Sequence, residues 1–161
     1  MSALRPSKIV CVGRNYAEHA KELGNAVPER PLLFFKPPSA LIATGEPIIL
    51  PAASSRVEHE AEIGVVIGRR LRRVTPGEAE LGIAGFTCVN DVTARDVQQR
   101  HQQWDLGKSF DTFCPMGPWI VTADELDGSD TRVRCWVTPE GGSAELRQDA
   151  RTSDLIFDIP T

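Results

Sequence analysis

Apolar positions along this chain come in short runs rather than long stripes, and most of the runs read as strands. Lys8 to Gly13 (KIVCVG) is a β-branched run closed by glycine. Ile83 to Val89 and Thr131 to Val137 have the same character, and Ile120-Val121 marks another strand. Glu58 to Ile67 (EHEAEIGVVI) predicts one continuous strand with an apolar second half. Pro28, Pro31, Pro37 and Pro38 mark a loop around the apolar piece Leu32 to Phe35, and Pro47 and Pro51 bracket a short strand, Ile48 to Leu50. Helical signals are fewer. Tyr16 to Leu23 favours a helix that Asn15 can cap and Gly24 can end, short enough that packing must hold it. Pro76 to Glu80 predicts one helical turn after an Arg69–Arg73 turn, and Thr93 to Trp104 a second helix with Thr93 as its cap. Asp127-Gly128 and Gly141-Gly142 are turn signals, the second suited to a hairpin. Leu155 to Ile159 begins a further element. There are no repeats, and the pattern predicts a strand-rich α+β domain.

Composition narrows this picture without changing it. With 161 residues, 41% of them hydrophobic, the chain can build one domain with a real core, spanning 1–161. A net charge of −4 argues against a nucleic-acid partner. The arginine pairs Arg69-Arg70 and Arg72-Arg73 are a turn with solvated charges. No segment has the ~18 consecutive apolar residues needed to span a membrane. Met1 to Ser7 lacks the apolar core of a secretory signal, so the cytoplasm is the expected location. Cys11, Cys88, Cys114 and Cys135 form no CxxC pair, and the expectation is small buried hydrophobes in a reducing compartment.

The chemistry sits in the carboxylates. Glu58, Glu60 and Glu62 share one parity on the predicted strand, which puts alternate side chains about 6.5–7 Å apart on one face. Two such carboxylates can reach one cation. The run Ile63 to Ile67 leads Glu62 into a buried strand, where an uncompensated carboxylate is costly. A divalent ion removes that cost, and oxygen-only donors favour Mg²⁺, Mn²⁺ or Ca²⁺. Asp91, emerging from the apolar strand that ends at Val89, offers a further carboxylate. Spacing alone also fits a solvated strand edge and a turn aspartate.

Five blocks decide between those readings. GRNYAEHAKELG (Gly13 to Gly24), FFKPPSA (Phe34 to Ala40), HEAEIGVVIG (His59 to Gly68), CVNDVTARDVQ (Cys88 to Gln98) and GKSFDTFCPMGPW (Gly107 to Trp119) follow one another in order. In that order they resemble the catalytic domain of the fumarylacetoacetate hydrolase family, above all its small members acting on acylpyruvates, fumarylpyruvate or oxaloacetate. The resemblance implies a mixed β-sandwich roll, usually a homodimer, and a small 2-keto acid as substrate, without nucleic acid or membrane partners. It implies Mg²⁺ or Mn²⁺, with Ca²⁺ the other option, on Glu60, Glu62 and Asp91. It assigns His19 and Glu22 to a histidine–glutamate pair and Lys108 to the substrate or its developing charge, and places Arg14, Tyr16 and Gln98 near the substrate's polar groups. His19 and Glu22 are three residues apart, on one face of the predicted helix, where the carboxylate can orient the imidazole as a general base.

The implied activity is hydrolysis of a carbon–carbon bond in a 2,4-diketo acid through a metal-bound enolate, as in aromatic-compound catabolism. Oxaloacetate decarboxylation and isomerisation of 2-hydroxyhepta-2,4-diene-1,7-dioate share that enolate and stay open. The family continues past Thr161 with further strands, so the expected fold is short of the C-terminal ones. A non-catalytic metal-binding fragment that works by association is therefore the reading from another class. Nucleotide binding has neither a G-x-G-x-x-G nor a P-loop to support it.

Overall fold

The computed structural model describes residues 5–16 and 28–161. The predicted helix from Tyr16, with His19 and Glu22, lies outside the described residues beyond Tyr16 itself. Contacts gather the chain into two compact units. The first takes the described parts of Met1–Gly13, Arg30–Glu60 and Val89–Pro118, and the second those of Arg14–Glu29, Ala61–Cys88 and Trp119–Thr161.

In the first unit, β1 (Ile9–Gly13) pairs antiparallel with β2 (Leu32–Lys36), Val10 opposite Phe35. The prolines that suggested a loop only bound β2, because proline at the strand's ends removes no ladder donor. Alternation along β2 turns Phe34 and Lys36 inward and Leu33 and Phe35 outward. β3 (Leu41–Ala43) runs parallel to the start of β8 (Cys114–Thr122). The apolar triplet Ile48 to Leu50 is not a strand. It finds no strand partner, and the Ile49 N–H donates instead to the Thr112 hydroxyl. The core is Val92, Ala94, Val97 and Phe113, with Val57 and Phe110 packed against it. Gly13 lies against the Trp104 ring, where any Cβ would collide, and Trp104 meets Phe34 edge-on at 5.8 Å.

The strand predicted over Glu58 to Ile67 breaks in two. β4 (Val57–Glu58) pairs with β7 (Thr93–Ala94), while β5 (Ala61–Ile67) starts afresh in the second unit. The predicted Thr93–Trp104 helix also breaks. It becomes β7 and α2 (Arg95–Arg100), and a further helical turn, α3 (Asp105–Lys108), follows past its predicted end. Thr93 is not its cap: its hydroxyl donates to the Asp91 carbonyl, and Ala94 opens α2 without a side-chain cap.

The second unit holds β5, most of β6 (Ile83–Asn90), the end of β8 and the hairpin β9 (Arg132–Val137) and β10 (Glu145–Arg151). The hairpin's connection contains the expected Gly141, at φ 70. The helical turn α1 (Pro76–Glu80) forms because Thr75 and Glu78 close a capping box and proline sits in its first turn. β6 and β8 are the central strands of a four-stranded sheet ordered β3-β8-β6-β5. Gly85 is required where β6 meets β8, since a Cβ there would press on the Val121 carbonyl. Leu155 to Ile159 forms no strand beyond a single bridge between Leu155 and Tyr16. Asn15 clamps that segment through both its amide atoms, 2.9 and 2.8 Å from the Phe157 main chain; the helix it was expected to cap lies outside the described residues.

The architecture is thus the expected strand-rich α+β with mixed pairing. Among the described residues no helix is long and apolar enough to cross a membrane. None of the four cysteines is in a disulfide, and only Cys114 is buried; Cys88 is exposed and Cys11 and Cys135 are half-buried, against the expectation for those three.

Candidate functional site

Main-chain bonds bring Glu60 and Asp91 side by side. The Asp91 N–H donates to the Glu60 carbonyl at 2.8 Å, and the Glu60 N–H donates to the Asn90 side chain at 3.0 Å. The break between β4 and β5 makes this possible, because it frees Glu60 from a ladder. The two carboxylates then offer oxygens within 4.8 Å of each other.

One ammonium lies between them. Lys108, at the end of α3, reaches Glu60 Oε2 at 2.9 Å, Asp91 Oδ2 at 2.5 Å and the Thr93 hydroxyl at 2.9 Å. It also sits over the Phe34 ring, 4.8 Å from its centre. Lys36, from β2, takes the other Asp91 oxygen, Oδ1, at 2.7 Å. Arg95 joins the acids from a third side, pairing with Glu58 at 2.8 Å and with Glu60 Oε1. Lys36, Asp91 and Lys108 are each no more than 2% exposed, and charged groups reach such burial only when paired. No buried side-chain nitrogen or oxygen among the described residues lacks a partner.

The electrostatics follow from this packing. Burial pushes the Lys108 ammonium pKa down, but the Asp91 and Glu60 carboxylates outweigh it and hold the value above the ordinary one. Burial likewise raises Glu60, and Lys108 and Arg95 overcome it, so its carboxyl stays below the usual range. Arg95 loses to desolvation and gains more from Glu60 and Glu58. Leaving the solvent-facing Arg56 aside, Glu58, Glu60 and Asp91 carry three negative charges against three positive ones on Lys36, Arg95 and Lys108. The cluster is balanced as it stands.

Its donors are all carboxylate oxygens, the chemistry that a hard divalent ion requires. Two of them already converge on one cationic centre. An added divalent ion would leave these six side chains two charges positive, and one once Glu62, the third expected ligand, is counted, so these residues fit such an ion in the company of a further anion.

Of the other expected site residues, Gln98 lies in the first unit on α2, where its side chain accepts from Arg95 at 2.9 Å. Glu62, Tyr16 and Arg14 belong to the second unit. Glu62 is half-buried on β5. The Tyr16 hydroxyl is pushed to a higher pKa by burial, then by Glu62 and Asp154. Arg14 is exposed, with φ 54. Sequence reasoning missed Lys36, Arg95, Thr93 and Asn90 as parts of the cluster. Lys36 had one signal, a lysine sharing the inward parity of Phe34 in an apolar strand. The others have partners remote in sequence.

Residues 8–161 match the model of the fumarylacetoacetate (FAA) hydrolase C-terminal family, nearly the whole chain. The chain belongs to the fumarylacetoacetate hydrolase family. An uncharacterized protein of Pyrococcus horikoshii is 46% identical over 98% of this chain and 68% of its own length. The mitochondrial oxaloacetate tautomerase FAHD2B of Bos taurus is 43% identical over 95% of this chain and 48% of its own. The crystal structure of 5-carboxymethyl-2-hydroxymuconate delta-isomerase from Mycobacterium smegmatis superposes with a TM-score of 0.84 at 45% identity, covering 98% of this chain and 60% of that one. The chain therefore spans between about half and two thirds of the length of these members of the fumarylacetoacetate hydrolase family.

Proposed function

We propose that this chain carries the 2-oxo-acid site of a divalent-metal-dependent enzyme that works through an enolate, with tautomerisation or isomerisation of a 2-oxo dicarboxylate as its first activity. One observation supports this most: a buried, charge-balanced cluster in which Glu60 and Asp91 converge on Lys108. Relatives named as an oxaloacetate tautomerase and as a hydroxymuconate isomerase point the same way.

Glu60 and Asp91 would hold Mg²⁺ or Mn²⁺ together with Glu62, two residues further along the chain, in line with the family resemblance. When bound, that ion supplies Lewis acidity to a 2-oxo carboxylate. The chain's own groups do the rest. The three donors of Lys108 go to Glu60, Asp91 and Thr93; with the two acids engaged by the ion, one of those donors would turn to the oxygen on which charge develops. Thr93 and Phe34 fix its ammonium. Arg95 holds Glu60 in place and is itself braced by Glu58 and Gln98. Charge balance supports an acidic substrate, because the loaded site needs an anion beyond the protein's own.

Hydrolysis of an acylpyruvate is the second reading, in keeping with the family's name. It needs a base for water, and His19 oriented by Glu22 is the candidate. Two assays separate the readings. One follows the loss of enol absorbance from oxaloacetate with Mg²⁺, and the other follows pyruvate release from acetylpyruvate. Tautomerisation that survives His19→Ala, with little pyruvate release in the parent, is the expected result. Fast pyruvate release that His19→Ala abolishes would instead favour the hydrolase. Turnover of neither substrate by folded, Mg²⁺-loaded protein would favour the association reading.

A further inference from the structure

Lys36 is the most deeply buried charged side chain of the cluster, and nothing in the function above uses it. Its ammonium contacts Asp91 Oδ1 at 2.7 Å, the Val92 carbonyl at 3.2 Å and the Lys108 carbonyl. Its side chain has no exposure. The element it stands on is tied to the one carrying Lys108, since the Phe35 N–H donates to the Asp105 carboxylate at 3.1 Å. Stability alone is a weak reason for this lysine, because replacing a buried ion pair by apolar groups is often neutral or favourable. Charge gives a stronger one. Without the Lys36 charge the six side chains of the cluster would be one unit negative, and two with Glu62 counted, and a divalent ion would enter more readily. With Lys36 in place, the ion-loaded site keeps one more positive charge to be met from outside.

We propose that Lys36 sets the charge of the site: its fixed positive charge behind Asp91 weakens the binding of a bare divalent ion and makes the loaded site select dianionic over monoanionic 2-oxo acids. The inference rests on the metal reading above. Lys36 acts through Asp91 and touches no reacting atom, so it is a specificity-determining residue. A charge a few ångströms away in a screened protein interior is strong enough to shift such equilibria by on the order of tenfold.

The test uses Mn²⁺ as the metal probe, with oxalate as the dianion and pyruvate as the monoanion. Free Mn²⁺ is followed by electron paramagnetic resonance, and anion binding to the Mn²⁺-loaded protein by calorimetry. The parent is compared with Lys36→Met and Lys36→Gln, the second keeping an amide donor for the buried carbonyls; circular dichroism checks that each is folded. The expected result is opposite shifts in a folded variant: Mn²⁺ binds about tenfold tighter, oxalate binds about tenfold weaker, and pyruvate falls less than oxalate. A purely structural lysine cannot produce that pattern. Joint weakening of Mn²⁺ and oxalate, no change in either, or failure of both variants to fold would overturn the proposal. A parent that binds no Mn²⁺ would sink the metal reading itself, a different outcome visible before any variant is made.

Discussion

Lys108 and Asp91 sit 2.5 Å apart, and so do Arg132 and Asp149. Yet the first pair is 3% and 2% exposed at its side chains, while the second, on the β9–β10 hairpin, is 51% and 31% exposed. Equal distances conceal unequal physics. On the hairpin, water screens both charges and competes for them, so the pair holds little. In the cluster around Lys108, water is gone, and each charge depends on its neighbours for the solvation that it lost. Only the buried group has reason to bind a further ion or a substrate, since only there is charge worth arranging.

The sharpest way to break this comparison is to remove one partner of each pair. Lys108→Met should cost roughly 3–5 kcal/mol in urea denaturation, because it leaves the buried Asp91 with Lys36 alone and weakens the hold on Glu60. A loss no larger than that of a surface variant would erase the distinction. Glu60→Gln should cost less, on the order of 1–3 kcal/mol, as Glu60 is partly open to solvent and a neutral amide still fills its place. That loss also carries a pH signature. The Glu60 carboxyl lies lower in the folded chain than its unfolded value near ~4.3. Its contribution is therefore complete above that value and fades as pH falls through the folded one. Parent and Glu60→Gln stabilities measured from pH 7 downward should accordingly converge in acid; a constant gap would contradict the assignment.

A smaller effect is expected at Asp96, whose carboxyl is pushed down to about 2 by hydrogen bonds from Ser54, Ser55 and Val97. Its contribution to stability should be lost only as pH drops from ~3.9 toward about 2. In Ser54→Ala the Asp96 titration, followed by NMR, should move upward toward the ordinary value. The smallest effect belongs to the hairpin. Arg132→Ala should leave the melting temperature unchanged within error at physiological salt, despite the 2.5 Å contact it removes.

How much of this was legible in the sequence depended on whether the deciding contacts were local. α1 was readable because Thr75, Pro76 and Glu78 cap it within a few residues. β1, β6 and β9 showed as β-rich runs, and the β9–β10 hairpin by its glycines. β2 was hidden by its flanking prolines, since only its pairing with β1 reveals it. Ile48 to Leu50 looked like a strand but lacks one to pair with. The break at Glu60 was invisible for the same reason: the acceptor on Asn90 and the donor on Asp91 lie 30 residues or so away along the chain. The five motif blocks named the acids, while nothing local could show that Lys36 and Arg95 would neutralise them.

The central claim, that Glu60 and Asp91 serve a divalent ion and a 2-oxo acid, is tested most directly by following oxaloacetate keto–enol interconversion while Mg²⁺ is titrated into the parent and into Asp91→Asn. The account predicts a rate that rises to saturation with Mg²⁺ in the parent and no Mg²⁺-dependent rate in a folded Asp91→Asn protein. A parent whose rate ignores Mg²⁺, or an Asp91→Asn protein that responds to Mg²⁺ as the parent does, would contradict it.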